Sequence, residues 1–172
     1  MGFLTRQHPI FPANLSRAMR KLLLCLLPIL ALTSCETVPS QDANARREMM
    51  ESIRQEPAGD YYIGRRYYKE DYKFWGWVRA PRQSWTQAKL VMLNEQQKLA
   101  PDRAAGTLGS DNNHEYRLSG QFSGDTVYEP ASNGFYPEFV LTGAELLDDT
   151  PPPIYKSRGA LDPKIRIIAQ PY

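Results

Sequence analysis

Residues 60–81 read DYYIGRRYYKEDYKFWGWVRAP, and eight of the 17 residues from Tyr61 to Trp77 are aromatic, with Arg and Lys between them. The second half of the stretch alternates. Tyr72, Phe74, Gly76 and Val78 share one face, and Lys73, Trp75, Trp77 and Arg79 share the other. A period of two predicts a half-buried β-strand from Tyr72 to Ala80. The even face carries the core: Tyr72, Phe74 and Val78. On the odd face, Lys73 and Arg79 resist burial without partners, so Trp75 and Trp77 between them are expected to be partly accessible. Lys73, Trp75, Trp77 and Arg79 are therefore the candidate ligand-binding residues. The first half, YYIGRRYY (61–68), has two readings. Gly-Arg-Arg forms a hairpin turn with Tyr61 and Tyr68 framing a pocket, or the four tyrosines pack over an open barrel end.

Further strand signals follow. AKLVML (88–93) is a continuous apolar run, read as a strand covered on both faces and ending at Asn94, with a helix over 88–100 as the alternative. EYRLSGQFS (115–123) alternates, TVYE (126–129) follows a Ser-Gly-Asp turn at 123–125, and FYPEFVLTGAELL (135–147) is entered through Ser132-Asn133-Gly134. KIRIIA (164–169) is expected to pair back onto the sheet. Five to seven short strands with Gly76, Gly120 and Gly143 inside them predict a mainly β fold. A small antiparallel barrel or rolled sheet, OB-like or SH3-like, leads; a small β-sandwich is the alternative.

The whole chain holds 21 basic and 19 acidic side chains. Its first 34 residues carry Arg6, Arg17, Arg20 and Lys21 and no acid, which leaves 17 basic against 19 acidic from Cys35 onward. A near-neutral body lacks the concentrated positive field that bulk nucleic-acid binding needs.

The N-terminal part reads as an address. MRKLLLCLLPILALTSC (19–35) has a basic start at Arg20 and Lys21, an apolar stretch from Leu22 to Leu32, and small residues before Cys35. Eleven helical residues span roughly 16 Å, too short for a hydrocarbon core of roughly 30 Å. The end, Leu32-Thr33-Ser34-Cys35, resembles the lipobox of bacterial lipoproteins. The resemblance implies diacylglyceryl attachment at Cys35, cleavage before it and acylation of the new N-terminus. Glu36, in place of Asp, resembles the outer-membrane pattern of that family. The implied location is the periplasmic face of the outer membrane in a Gram-negative-type envelope, with the membrane held through lipid. Residues 1–34 are thus a signal with an upstream extension, and Met19 is the natural start.

Residues 35–59 read as the lipidated N-terminus and a polar tether. Ala45, Met49 and Ile53 recur every four residues, so a short helix from Asp42 to Gln55 is available, with Ser40 as cap and Pro57 as stop. The tether is expected to be solvated, its helix transient. Residues 60–172 form the β-rich domain. Within it, residues 148–163 contain Pro151 to Pro153 and read as a stiff surface connection.

Catalytic signatures are sparse. The lipoprotein reading leaves His114 as the mature chain's histidine and Cys35 as its cysteine, too little for Cys/His zinc sites or Cys–His catalysis. Ser110, Asp111 and His114 are crowded into one polar loop, GSDNNHEY (109–116), unlike a triad set on separate elements; the loop reads as a turn capping the next strand. The same loop lacks the spacing of an EF-hand. The expectation is a non-enzymatic interaction or structural module with no cofactor, no metal and no nucleic-acid partner, meeting an envelope protein. Glycan or peptidoglycan binding through the aromatic-basic strand face is the alternative.

Overall fold

A computed structural model describes residues 41–172; the signal, Cys35, Glu36 and the Ser40 cap lie outside the described residues. The chain forms helix α1 (Gln41–Gln55), strands β1 (Tyr62–Arg66), β2 (Gly76–Arg79) and β3 (Lys89–Asn94), a one-turn helix α2 (Pro101–Ala104), and two long strands, β4 (Glu115–Glu129) and β5 (Gly134–Asp148). The strands close into a barrel in the order β1-β2-β3-β5-β4. All pairs are antiparallel except β3 with β5, where Met92–Asn94 runs parallel to Glu138–Val140. This order, with its parallel third and fifth strands, is the OB-like arrangement.

Local chemistry explains the elements. In β4, Tyr116 and Leu118 are buried while Arg117 and Ser119 are exposed, the alternation read from the sequence. The Ser-Gly-Asp segment at 123–125 is not a turn between two strands. It is a register irregularity between Phe122 and Thr126 inside one strand. A second shift falls at Ser119/Gly120, where Gly120 has φ +145° and a Cβ would lie 2.1 Å from the Val140 carbonyl oxygen. Only glycine fits that bulge. The β4–β5 turn holds Asn133 in the left-handed region (φ 51°), as asparagine tolerates.

Two cores result. The barrel interior packs Trp75, Val78, Val91, Leu118, Phe139 and Leu141. The outer face of β1–β3 carries Ile63, Trp77 and Leu90, covered by Met49 and Ile53 of α1 and by Ile154 and Tyr155 of the tail. Met49 and Ile53 are 8% and 6% exposed, so α1 docks on the barrel and is no solvated tether. The gain from burying two such side chains, about 1.5–3 kcal/mol each, is what a helix this short lacks when isolated.

The tail also departs from expectation. Residues 164–169 form no strand. The Tyr67 hydroxyl donates to the Ile167 carbonyl at 2.9 Å and accepts the Ala169 amide at 3.0 Å, so a side chain takes the place of a ladder. The proline connection is tied down too: Arg65 Nη1 donates to the Pro152 carbonyl at 3.0 Å, and Pro151 is buried.

Candidate functional site

The four residues singled out on the odd face do not form one surface. Lys73 is exposed and has no side-chain partner among the described residues. Trp75 is 4% exposed inside the barrel, and Trp77 is 4% exposed in the outer core. The expected partial accessibility of the two tryptophans is therefore overturned. Regular strand begins only at Gly76, so alternation breaks between Trp75 and Gly76 and sends the two indoles to opposite sides of the sheet. The outer side is then roofed by α1 and the tail. Arg79 is buried with a partner: its guanidinium donates to both Glu56 oxygens at 2.5 and 2.8 Å and lies 4.6 Å from the Trp85 ring centroid.

Gly64-Arg65-Arg66 is not a hairpin turn but the C-terminal part of β1. Both arginines are buried and both are matched. Arg65 meets Glu115 at 2.5 Å on the outer side. Arg66 faces the loop after β3, binding Asp102 at 2.9 Å and Asp111 at 3.3 Å, and it donates to the Trp75 carbonyl. Asp102 also accepts the Gly109 amide at 2.9 Å, and Asp111 accepts the Tyr116 hydroxyl at 3.0 Å. Burial pushes the Asp111 carboxyl up, with the nearby Asp102 charge adding to it and Arg66 opposing. Burial, then Asp111, push the Tyr116 phenol up. Two carboxylates share one guanidinium, and the result pins the 100–114 segment to β1.

Asp111 thus turns to Arg66 and Tyr116 within the polar loop. The His114 amide donates to the Asp111 carbonyl at 2.9 Å, a turn contact that precedes β4. Ser110 pairs with Thr107 through their hydroxyls at 2.9 Å. The trio forms a turn, with no Ser–His or His–Asp side-chain hydrogen bond. Among the described residues, no group of three or more His, Cys, Asp or Glu is placed to hold a metal ion.

Lys73 and Trp75 border a groove of about 530 Å³. It runs between the β1–β2 connection, the end of β3 and the α2 loop. Phe74, Trp75, Met92 and Leu93 supply its apolar lining; Tyr68 and Tyr72 add half-buried rings. Glu70, Lys73 and Arg103 bring charge to it, with Arg103 paired to Glu95 at 2.7 Å. Of the four predicted residues, Lys73 and Trp75 reach this groove; Trp77 and Arg79 do not. Sequence reasoning missed the contribution of β3 and the α2 loop. One signal was present: Leu108, an apolar side chain in the polar run GTLGS, is 61% exposed and lines the groove.

A second exposed feature lies on the β4–β5 ribbon. Beyond Leu118, β4 pairs only with β5, and β5 meets β3 only at Glu138–Val140. Tyr128 and Phe135 face each other across this ribbon, 46% and 69% exposed, with ring centroids 5.1 Å apart. Compared with protein-family models, curated proteins and solved structures, the chain matches none.

Proposed function

We propose that the chain is a lipid-anchored, non-enzymatic interaction module of a Gram-negative-type bacterial envelope, attached through Cys35 at the periplasmic face of the outer membrane. The anchor rests on Leu32-Thr33-Ser34-Cys35 and the signal before it. The observation that carries the interaction reading is the β4–β5 ribbon. It has strand edges without ladder partners and an exposed aromatic pair, the features through which a sheet recruits another protein. The buried ionisable residues nearest to catalytic chemistry, Asp102, Asp111 and Tyr116, are engaged with one another and with Arg66, which suits a scaffold.

The docking of α1 shapes how such a module works. Five residues lie between Cys35 and Gln41, and the six steps along the chain reach about 20 Å at full extension. An anchor at Cys35 therefore keeps the start of the domain close to the bilayer, and partners are those within that reach.

The test is direct. Cys35→Ala moves the protein out of the membrane fraction and removes acyl labelling. A photo-crosslinking side chain at position 135 of the lipidated protein traps a defined envelope protein in intact cells. Unchanged membrane fractionation of Cys35→Ala overturns the anchor. Absence of any adduct from position 135, with adducts from a control site on α1, overturns the ribbon as the interaction surface.

A further inference from the structure

We propose that the groove beside Trp75 is a binding site for an uncharged or amide-bearing oligosaccharide. The site is separate from the ribbon and shares with the reading above only its envelope setting. Its volume, about 530 Å³, lies within the roughly 300–1,000 Å³ usual for small-ligand sites.

The lining selects the ligand. A sugar ring has one face of C–H bonds and a rim of hydroxyls. It is held by an aromatic face on one side and by hydrogen-bonding groups at its edge. The groove offers both within a short span: the half-buried rings of Tyr68 and Tyr72 beside the buried Phe74 and Trp75, with Glu70, Lys73, Glu95 and Arg103 among them. Trp75 also keeps a buried indole N–H for which the protein supplies no acceptor.

Other ligand classes fit less well. A phosphate chain needs several unpaired cations. Arg66 is committed to Asp102 and Asp111, and Arg103 to Glu95, which leaves Lys73 as the lining cation without an ion pair. An extended peptide adds to a sheet edge over several residues; β3 pairs with β2 through Lys89–Val91 and with β5 through Met92–Asn94, so the edge it offers in this groove is short. An acyl chain favours a uniformly apolar slot, and here five charged side chains, Arg66, Glu70, Lys73, Glu95 and Arg103, interrupt it.

The experiment uses the full lipidated chain in a detergent without a sugar headgroup. Two probes are titrated, the β-1,4-linked tetramer of N-acetylglucosamine and cellotetraose, and binding is read by calorimetry and tryptophan emission. The expected result is saturable binding of at least one probe with a change in emission. Lys73→Ala and Leu108→Asp, both at exposed positions and both with native circular dichroism, each weaken it roughly tenfold. Arg47→Ala, on the exposed side of α1, leaves it unchanged. Failure of both probes to bind into the millimolar range overturns the proposal. Binding that survives both groove substitutions overturns it equally, because the sugar then sits elsewhere. Neither result touches the ribbon, which the position-135 adducts judge independently.

Discussion

Arg66 shows what burial of charge demands in this protein. It is 4% exposed, and it neutralises only part of the charge around it, because Asp102 and Asp111 are buried with it. Asp111 responds by holding its proton more tightly than a free carboxyl, chiefly through desolvation and then through Asp102. Its linkage sign is fixed by that direction. The folded chain binds the Asp111 proton over a pH window above the ordinary carboxyl value of 3.8. Its contribution to stability is therefore largest below that value and falls as pH rises through the folded one. Arg66 is the charge that opposes this upward shift, so the buried pair of carboxyls depends on it. Removing the guanidinium leaves two buried carboxylates facing each other, so Arg66→Ala is expected to lose about 3–5 kcal/mol at neutral pH. Adding Asp111→Asn to that variant recovers part of the loss, because one of the two repelling charges disappears. Urea denaturation of the four combinations measures the coupling. Additive effects, with no recovery in the double variant, contradict the shared-charge account.

At the scale of elements, the decisive piece is α1. Its apolar positions, Ala45, Met49 and Ile53, were visible in the sequence, and so was its stop at Pro57. Its partner was not visible, because Trp77, Ile63 and Tyr155 lie scattered along the chain and meet only after the sheet has formed. Ile53→Ala is expected to cost about 2–4 kcal/mol by leaving a cavity under the helix. It also raises amide exchange across Gln41–Gln55, read by hydrogen exchange and chemical denaturation together. A transient, solvated helix predicts no change in either measurement. The same divide between local and distant explains the rest of the legibility. The alternation of Tyr116 and Leu118, the apolar run of β3 and the turn at Asn133-Gly134 are local patterns that read correctly, whereas Ser123-Gly124-Asp125 has the composition of a turn and is a register shift within β4. Gly64-Arg65-Arg66 looked like a turn because the carboxylates that match its arginines lie 36 residues away at Asp102 and 50 residues away at Glu115. Lys73 and Trp75 were singled out for their types and do reach the groove, whereas its far wall comes from a loop whose position depends on the Arg66 contacts.

For the whole molecule, three tyrosines report the integrity of both cores at once. Tyr116 lies in the barrel interior, and Tyr67 and Tyr155 lie in the outer core under the tail. Burial is the first cause of an upward shift in each phenol. For Tyr67 the neighbouring Tyr72 adds to the rise against the Ala169 amide, which favours the phenolate. In the unfolded chain these groups ionise near the ordinary value of 10.0, whereas in the folded chain they keep their protons to higher pH. Above that value the folded state binds more protons than the unfolded state, so stability falls as pH rises. Below it the three tyrosines contribute no pH dependence. The chain holds ten tyrosines in all. Alkaline titration followed at 295 nm is therefore expected to leave three phenolates missing while near-ultraviolet circular dichroism stays native. Those three are gained in one cooperative step, together with loss of the native signal. Tyr155→Phe keeps the ring and removes one ionisable group whose hydroxyl has no hydrogen-bond partner in the protein. It should shift that step to higher pH and reduce the cooperative gain from three phenolates to two. Full ionisation of all ten tyrosines with the native spectrum intact means that water reaches both cores, and the roof of α1 and tail over β1–β3 is then not closed in solution.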